Sequence, residues 1–268
     1  MAAIRRLSWI LCMLVFIVSM FAEFVAPAPY EKQFRELPNS PPTEAFILGT
    51  DELGRDRFSR LLYGSRVSLV LAPAAALIST LLAALVGGVA GYCGGMLERL
   101  AVRITDLFLS LPWLFLLLTL RALLPLNVSP WTSVTVTFAL LGILGWPGPA
   151  RVVRTQAGSL RNSEFVLQAR ASGQGGLRLI VMHLLPNLKP ILMAQFLISV
   201  PVFILAEANL GLLGLGVSEP LPSWGNLLRD LESYSVVSAH PWLLAPLILL
   251  VATVACLQIG LGGKESSL

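Results

Sequence analysis

The stretch ILMAQFLISVPVFILAEANLGLLGLG, residues 191–216, carries a single ionisable side chain, Glu207. A helix needs about 20 predominantly apolar residues to cross the hydrocarbon core of a bilayer. This stretch is long enough, and it is far more apolar than the solvent-facing part of a soluble protein. We therefore predict that it spans a membrane.

The composition of the whole chain extends this prediction. The 268 residues are 56% hydrophobic and 13% charged, with a mean hydropathy of +0.78. Soluble domains have about 45–50% apolar and about 25% charged residues. The remaining polar side chains are too few to coat a soluble globule, so the composition predicts an all-α membrane protein with several spans.

Six segments are long and apolar enough to predict six transmembrane helices. The fourth is expected to end near Pro147 and Pro149, because proline disrupts a helix interior. The first follows Arg5 and Arg6 as a secretory signal would, but its length and Pro29, just after its small residues, favour an uncleaved anchor. The segments are approximately 7–27, 67–92, 105–124, 131–149, 191–216 and 241–262.

The distribution of Lys and Arg predicts the orientation. Residues 150–190 contain six basic side chains and one acidic side chain, Glu164, whereas the third-to-fourth and fifth-to-sixth loops have only Arg121 and Arg229. Basic residues collect in cytoplasmic loops. We therefore expect residues 150–190 and both chain termini to be cytoplasmic, with the long first-to-second segment, of mixed charge, on the outer side.

The outer-side segment contains ILGTDELGRDRFSRLLYG, residues 47–64, in which acidic and basic side chains alternate between apolar runs. The carboxylates do not have the spacing of an EF-hand loop. The sequence GTDELGRD has the glycine spacing of a P-loop, but Arg55 replaces its lysine and Asp56 would repel phosphate. Thr50 and Asp51 are favourable N-cap residues, so we predict a capped amphipathic helix that turns at Tyr63-Gly64 into the second span. Pairs between its arginines and acids would satisfy their charges locally at the interface.

The cytoplasmic segment 150–190 shows helical periodicity on both sides of Gly173, Gly175 and Gly176. Glycine is common just past the end of a helix, which predicts a helix–turn–helix hairpin. Such a hairpin, with Leu160 and Phe165 on its first helix, is more than a spacer requires and favours docking to another protein. A solvated basic loop is the alternative interpretation.

Features of an enzyme or a nucleic-acid-binding protein are not found in the sequence. Three scattered cysteines and two histidines provide neither a disulfide framework nor a metal-binding motif. Paired aspartates, a Ser–His pair and HExxH, which an intramembrane enzyme would need, are absent from the predicted spans. The pI of about 9.3 fits cytoplasmic Lys and Arg. We expect no catalytic residues, metal, cofactor or nucleic acid, and regard an assembly factor as a third alternative.

Three separated stretches resemble one family. Residues 48–69, LGTDELGRDRFSRLLYGSRVSL, and residues 205–228, with LAEANLGLLGLGV and PSWGNLL, resemble the C-type permease subunits of dipeptide, oligopeptide and nickel ABC importers. Residues 165–187 resemble the EAA loop of binding-protein-dependent permeases, which has a Glu-Ala-Ala core, a later glycine and then Leu-Pro. The matching positions are Ala169, Gly173, Leu185 and Pro186, and the signature in the first stretch comprises Gly49, Thr50, Asp51, Gly54, Arg55 and Asp56.

The EAA-like loop departs from the family pattern in two places. Leu167 stands where the family has glutamate, and Gln168 replaces the first alanine. Glu164, three residues earlier, is a candidate source of the missing negative charge. The resemblance implies that the loop contacts an ATPase through Glu164, Phe165, Leu167, Gln168, Ala169, Arg170, Gly173, Leu185 and Pro186.

The resemblance also implies a fold and a function. The fold is that of a type I ABC importer permease in a bacterial inner membrane, with an anchor helix, outer loop and amphipathic helix in residues 1–65 and the permease domain in residues 66–262. Its partners would be a second permease, one or two cytoplasmic ABC ATPases that hydrolyse ATP, an extracytoplasmic substrate-binding protein and the lipid bilayer. Peptides are the expected cargo, with nickel or another small solute as the alternative.

Polar residues near the fifth span are the candidates for the translocation path. Ionisable groups within spans usually face the bundle interior or a water-filled cavity. Glu207 and Asn209 are therefore path candidates, and a hydrogen bond between them is the alternative. Gly211, Gly214 and Gly216 predict close packing of helices, and Trp224 is typical of an aromatic anchor at the membrane interface.

Overall fold

The computed structural model describes residues 2–123, 128–232 and 240–262. Within these ranges the chain is helical and has no β-strand, only two isolated bridges, Gln33 with Arg55 and Thr50 with Asp56. The helices are α1 Ala2–Met20, α2 Ala22–Val25, α3 Arg57–Ala83, α4 Val89–Cys93, α5 Gly95–Ser110, α6 Trp113–Ala122, α7 Pro130–Leu144, α8 Pro147–Arg161, α9 Glu164–Ala171, α10 Gly176–Leu179, α11 Leu185–Leu212, α12 Trp224–Leu227 and α13 Ala245–Gly262.

Five helical segments are long and apolar enough to cross a membrane, and a bent pair of helices makes a sixth candidate. This agrees with the six predicted spans, but the third was wrongly predicted to be one straight helix over 105–124. It consists of α5 and α6, which meet at an angle of 80°. Leu111 precedes Pro112 and has an extended backbone, because a residue before proline is sterically excluded from the helical conformation.

The second span begins earlier than predicted. Helix α3 starts at Arg57 and continues through Gly64 without the predicted turn, and a π-helical turn, Ala84–Gly88, joins it to α4. The predicted cap was also wrong. The Asp56 carboxylate, not Thr50 or Asp51, accepts a hydrogen bond from the Ser59 backbone amide at 2.8 Å, which is the geometry of an N-cap.

The prolines near the end of the fourth span lie after one helix and in the first turn of the next. Helix α7 ends at Leu144, three residues before Pro147, and α8 begins at Pro147. Proline is favoured in the first turn of a helix, where its missing N–H has no intrahelical partner. Helix α8 then continues to Arg161 and lies within the segment that we predicted to be the cytoplasmic loop.

The chain forms two compact units. The first comprises the described residues of Met1–Ala72, Arg121–Phe138 and Pro201–Leu268, and the second those of Pro73–Leu120 and Ala139–Val200. In the first unit, α1 packs along α13, and Gly211 lies against the backbone of Gly225 with no room for a Cβ atom. Gly216 lies on Gly211 across the turn that ends α11, and a Cβ atom on Gly214 would have nothing within 4 Å. The predicted close packing of helices is therefore found at Gly211 and not at Gly214 or Gly216.

The second unit is built on a close contact between α4 and α8. A Cβ atom on Gly91 would overlap the Arg154 carbonyl oxygen and would lie 2.8 Å from the Ala157 Cβ atom. Gly87 similarly lies directly on the Ala150 backbone. Small residues let helix backbones approach one another closely in a membrane, so these glycines set the distance between the two helices.

The two sides of this contact respond differently to an added methyl group. We expect Gly91→Ala to lower the stability of the purified protein by about 1–3 kcal/mol, because overpacking forces the backbones apart. Gly158→Ala, on the α8 side, is the matched control: its Cβ atom would lie 3.9 Å from the Gly91 carbonyl oxygen, an ordinary contact. Thermal unfolding in detergent measures both, and equal melting temperatures for the two variants would contradict the packing.

Candidate functional site

The best-formed element of the predicted ATPase-coupling loop is α9. Glu164, Leu167, Gln168 and Ala171 are all exposed, and Leu167 is 50% exposed. Their spacing of three and four residues places them on one face of the helix. The helix therefore presents a narrow surface with an acidic residue in its first turn and an apolar side chain at its centre.

The opposite face of α9 is anchored in the second unit. Val166 is completely buried and Ala169 is 6% exposed, and both belong to a hydrophobic core that includes Ala157, Leu179 and Leu184. Phe165 is half-buried and packs against the same core. This packing joins α9 to the residues before and after it, so the exposed face is held by a rigid support.

The turn after α9 needs the glycine that the sequence predicted there. Gly173 has a φ of +74°, which side chains other than glycine rarely adopt. The Gln174 amide donates to the Ala169 carbonyl at 3.2 Å and the Gly173 amide to that of Arg170 at 2.9 Å. These two bonds form a Schellman motif, which ends a helix by satisfying its last carbonyl groups.

Two details of the hairpin differ from the prediction. Leu160 is in α8 and Phe165 is in α9, because the chain breaks at Asn162–Ser163, although both pack on one core. The segment after the turn is a short helix, α10, followed by a π-helical turn, Ile180–Leu184. Leu185 begins α11 and is 43% exposed, and Pro186 is exposed as well.

No pattern in the sequence predicted that Tyr92 takes part in this region. The Arg170 guanidinium lies over the Tyr92 ring at 5.1 Å from its centroid, a favourable cation–π contact. Arg170 is thus exposed but held against α4. Basic and aromatic residues far apart in sequence give no pattern that would predict this pair.

The signature stretch forms a loop that depends on its glycines. Gly49 and Gly54 have φ values of +68° and +73°. A Cβ atom at these positions would overlap the carbonyl oxygens of Ser40 and Phe34, respectively. Thr50 is buried, and its hydroxyl donates to the Leu37 carbonyl and accepts from the Ser40 amide. The loop is therefore folded on itself before α3 begins.

Asp51 is the central acceptor of this loop. Its Oδ1 atom accepts from the backbone amides of Leu53 at 3.0 Å and Arg55 at 2.8 Å. Its Oδ2 atom accepts from Arg55 Nε at 2.7 Å and lies 3.7 Å from Arg60 Nε. The sequence predicted such local pairing between acids and arginines, and the structure confirms it.

Glu219, from the segment after the fifth span, completes the network. Its carboxylate accepts from Arg55 at 2.6 Å and from Arg60 at 2.8 Å. Burial of Arg55 lowers the pKa of its guanidinium, but the bonds to Asp51 and Glu219 outweigh burial and raise that pKa above its usual value. A partner so distant along the chain has no signal in the sequence.

Of the two path candidates, Glu207 is buried and Asn209 is exposed. The Ser68 hydroxyl donates to Glu207 Oε2 at 3.3 Å, and Oε1 lies so close to Gly225 that a Cβ atom there would be 2.7 Å away. No hydrogen bond joins Glu207 to Asn209 in the described part of the chain, so the alternative that the sequence left open is not the arrangement found.

The predicted environments of two other residues near this region were wrong. Trp224, predicted to be an interfacial anchor, is completely buried, and its indole N–H donates to the Ser65 hydroxyl at 2.8 Å. Arg121 is 1% exposed and donates to the Ser133 hydroxyl at 2.8 Å and the Gly216 carbonyl at 3.3 Å. The sequence places Arg121 only in the loop after the third span, because a single arginine at the end of an apolar run does not reveal which residues it will contact.

The cysteines and possible metal ligands form no site in the described residues. Cys12, Cys93 and Cys256 are free thiols. No group of three or more His, Cys, Asp or Glu side chains is arranged to hold a metal ion in residues 2–123, 128–232 and 240–262.

Removing Asp51 is expected to cost much more than removing Glu219. Asp51→Asn takes from the buried guanidinium of Arg55 its buried carboxylate partner, and breaking a buried ion pair costs about 3–5 kcal/mol. The Glu219 side chain is 47% exposed, so Glu219→Gln should cost about 1 kcal/mol or less. Melting temperatures of the two purified variants test this order, and an equal or larger effect of Glu219→Gln would contradict it.

Comparison with known proteins adds independent information. The model of the family described as "Binding-protein-dependent transport system inner membrane component" matches residues 64–261. The dipeptide transport system permease protein DppC of Bacillus subtilis (strain 168) is 36% identical over 228 residues, which are 85% of this chain and 69% of that protein.

Two further relatives have similar names. The oligopeptide transport system permease protein OppC of Haemophilus influenzae is 34% identical over 269 residues, covering 99% of this chain and 83% of that protein. The di/tripeptide transport system permease protein DppC of Pseudomonas aeruginosa is 36% identical over 228 residues, 83% of this chain and 73% of that protein. The chain therefore belongs to the family of inner membrane components of binding-protein-dependent transport systems and is a multi-pass permease of the inner membrane.

Proposed function

We propose that this chain is one of two permease subunits of an ATP-driven peptide importer. The relatives named above are peptide permeases, and their names favour peptides over the nickel alternative. A second permease would complete the translocation path, and an extracytoplasmic binding protein would deliver the peptide. We place both termini and α9 on the cytoplasmic side, with residues 1–65 preceding the permease domain of residues 66–262.

The exposed face of α9 is the observation that supports contact with an ATPase subunit. A coupling element must be reachable from outside and must transmit a push without deforming. Helix α9 meets the first condition through Glu164, Leu167 and Gln168, and the second through the packing of Val166 and Ala169. ATP binding and hydrolysis would take place on the partner, since this chain's sequence has no P-loop.

The two departures from the family's loop lie on this same face. Leu167 replaces the expected glutamate with an apolar side chain, which suits a hydrophobic groove. Glu164 is one turn earlier, near the helix N-terminus, where a negative charge is favourable. The acidic group is therefore displaced by one turn and kept on the surface that would meet the ATPase.

Movement of α9 would reach the spans through the core of the second unit. Val166 and Ala169 share that core with Val153 of α8 and Leu188 of α11. Because protein interiors are close-packed, a displacement of α9 moves these neighbours with it. This gives a physical route from ATP-driven closure of the ATPases to a change in the spans.

Asn209 is the path candidate that this structure leaves accessible. It is exposed on α11 together with Val202 and Leu205, at a spacing that places the three on one helix face. Glu207 is enclosed, so we propose that it supports the neighbouring Ser223–Leu227 segment and reaches the path only if that segment moves.

Substitution of Leu167 tests the ATPase contact. Leu167→Arg should reduce co-purification of the ATPase subunits and peptide uptake by tenfold or more, because a charge would be forced into an apolar groove. Met96→Arg is the matched control, since Met96 is 82% exposed at the start of α5 and outside α9. Normal ATPase association in Leu167→Arg would show that α9 is not the contact.

Substitution of Gly173 tests the geometry of the turn. Nothing lies within 4 Å of a Cβ atom added to Gly173 or Gly175, but only Gly173 has a positive φ. Gly173→Val should strain the backbone by about 1–2 kcal/mol and lower peptide uptake, whereas Gly175→Val should leave uptake near wild type. Uptake and ATPase activity in proteoliposomes measure the effect, and equal behaviour of both variants would contradict a requirement for this turn.

A further inference from the structure

A charged cavity of about 490 Å³ lies in the first unit, between the signature loop and the segment that follows the fifth span. We refer to it as the vestibule. Its walls include Asp51, Arg55, Arg57, Arg60, Glu219 and Asp230. Small-molecule sites commonly have volumes of about 300–1,000 Å³, so a short peptide would fit.

Most of the vestibule wall is rigid. Asp51, Arg55 and Arg60 are each less than 10% exposed, and the ion pairs with Glu219 described above hold the two arginines. Arg57 is bonded to Asp230 and to the Thr50 carbonyl. These pairs neutralise one another and fix the shape of the cavity, so they leave little unsatisfied charge for a ligand.

Three other lining side chains have no such partner. The charged groups of Arg229, Glu52 and Glu232 form no ion pair or hydrogen bond with any residue that the structure describes, and all three residues are exposed. Residues 233–239, which follow them in the sequence, contain no charged side chain that could neutralise them. Among the lining residues that the structure describes, the vestibule thus offers one free cation and two free carboxylates.

We propose that the vestibule binds a short zwitterionic peptide before it enters the translocation path. The peptide α-carboxylate would bind Arg229, and its α-ammonium would bind Glu52 or Glu232. The two ends of a zwitterionic ligand need one cation and one carboxylate, and Arg229 with either of the two free carboxylates supplies them. This inference rests on the proposed function, because it takes the cargo to be a peptide and the vestibule to open on the outer side.

Binding of dialanine to the assembled importer, reconstituted in nanodiscs without its binding protein, tests the inference. Dialanine should bind at least about tenfold more tightly than either N-acetyl-dialanine, which lacks the ammonium, or dialanine amide, which lacks the carboxylate. Charge-assisted hydrogen bonds are typically strong enough for a change of this size. Equal affinity for all three compounds would overturn the inference.

Substitutions of the lining residues test which of them binds each end of the peptide. Arg229→Gln should weaken dialanine binding about tenfold and leave dialanine amide unaffected, because the variant and the amide remove the same interaction. The double variant Glu52→Gln/Glu232→Gln removes both candidate partners of the ammonium and should reduce the difference in affinity between dialanine and its N-acetyl form. Arg35→Gln and Glu36→Gln are matched controls, because both residues are exposed in the same loop and do not line the vestibule; they should bind dialanine as wild type does.

A second measurement does not depend on removing charge. Leu53 lines the vestibule and is 51% exposed. In a background without the three native cysteines, dialanine should protect Leu53→Cys from a thiol reagent, and dialanine amide should protect it less. Failure of saturating dialanine to protect this cysteine would also overturn the inference.

The outcomes separate this inference from the proposed function. If the wild-type importer with its binding protein transports no peptide, the proposed function fails. If it transports dialanine but Arg229→Gln and the double variant Glu52→Gln/Glu232→Gln bind dialanine normally, only the vestibule inference fails. If these variants lose association with the binding protein and keep their affinity for dialanine, the vestibule is a docking surface for that protein and the inference is overturned.

Discussion

The structure depends first on the requirement that a backbone in hydrocarbon satisfies its own hydrogen bonds. This requirement leaves helices as the form of the apolar segments in this chain. The surrounding lipid tails are as apolar as the side chains, so the usual hydrophobic drive for helices to associate is absent. Contacts then depend on how closely the backbones approach. Gly91 on the α8 backbone and Gly211 on Gly225 are two of the places where the described part of this chain allows such an approach. The position of α9 follows from the first of these contacts, because α8 carries the core on which α9 packs.

The charged side chains of this chain occupy three kinds of environment. Arg55 and Arg60 are buried in ion pairs with Asp51 and Glu219 and give the signature loop its shape. Arg121 and Glu207 are buried near hydroxyl groups and backbone and have no oppositely charged partner in the residues described. Arg229, Glu52 and Glu232 stay exposed at the vestibule. Burying a charge is costly unless it is paired, so the first group stabilises the fold, whereas the others are positions at which charge remains available for function.

The sequence predicted most of what depends on local chemistry. Apolar runs located the spans, the glycine cluster located the turn after α9, and acids next to arginines predicted the Asp51–Arg55 pair. What the sequence could not predict depends on tertiary contacts. The sequence around Pro112 reads as an uninterrupted apolar segment, so the bend there was not predicted. Glu219 is far along the chain from the arginines that it pairs with. Trp224 was predicted to lie at the membrane interface, whereas it is buried and its indole N–H donates to the Ser65 hydroxyl. The cap of α3 was misplaced because several of its residues are good caps, and only the folded loop selects Asp56.

Leu167 stands where the family pattern has glutamate, and its position on α9 is compatible with the proposed contact between α9 and an ATPase. A glutamate at that position would be exposed on α9, beside Gln168 and one turn after Glu164. With leucine there, the face keeps an acidic group in its first turn and gains apolar area at its centre. An apolar contact releases water over its whole area and tolerates small shifts in geometry, whereas a single ion pair on an exposed surface contributes little. The substitution would therefore change the chemistry with which α9 binds the proposed ATPase partner, while the buried residues Val166 and Ala169 keep the exposed face of α9 in place.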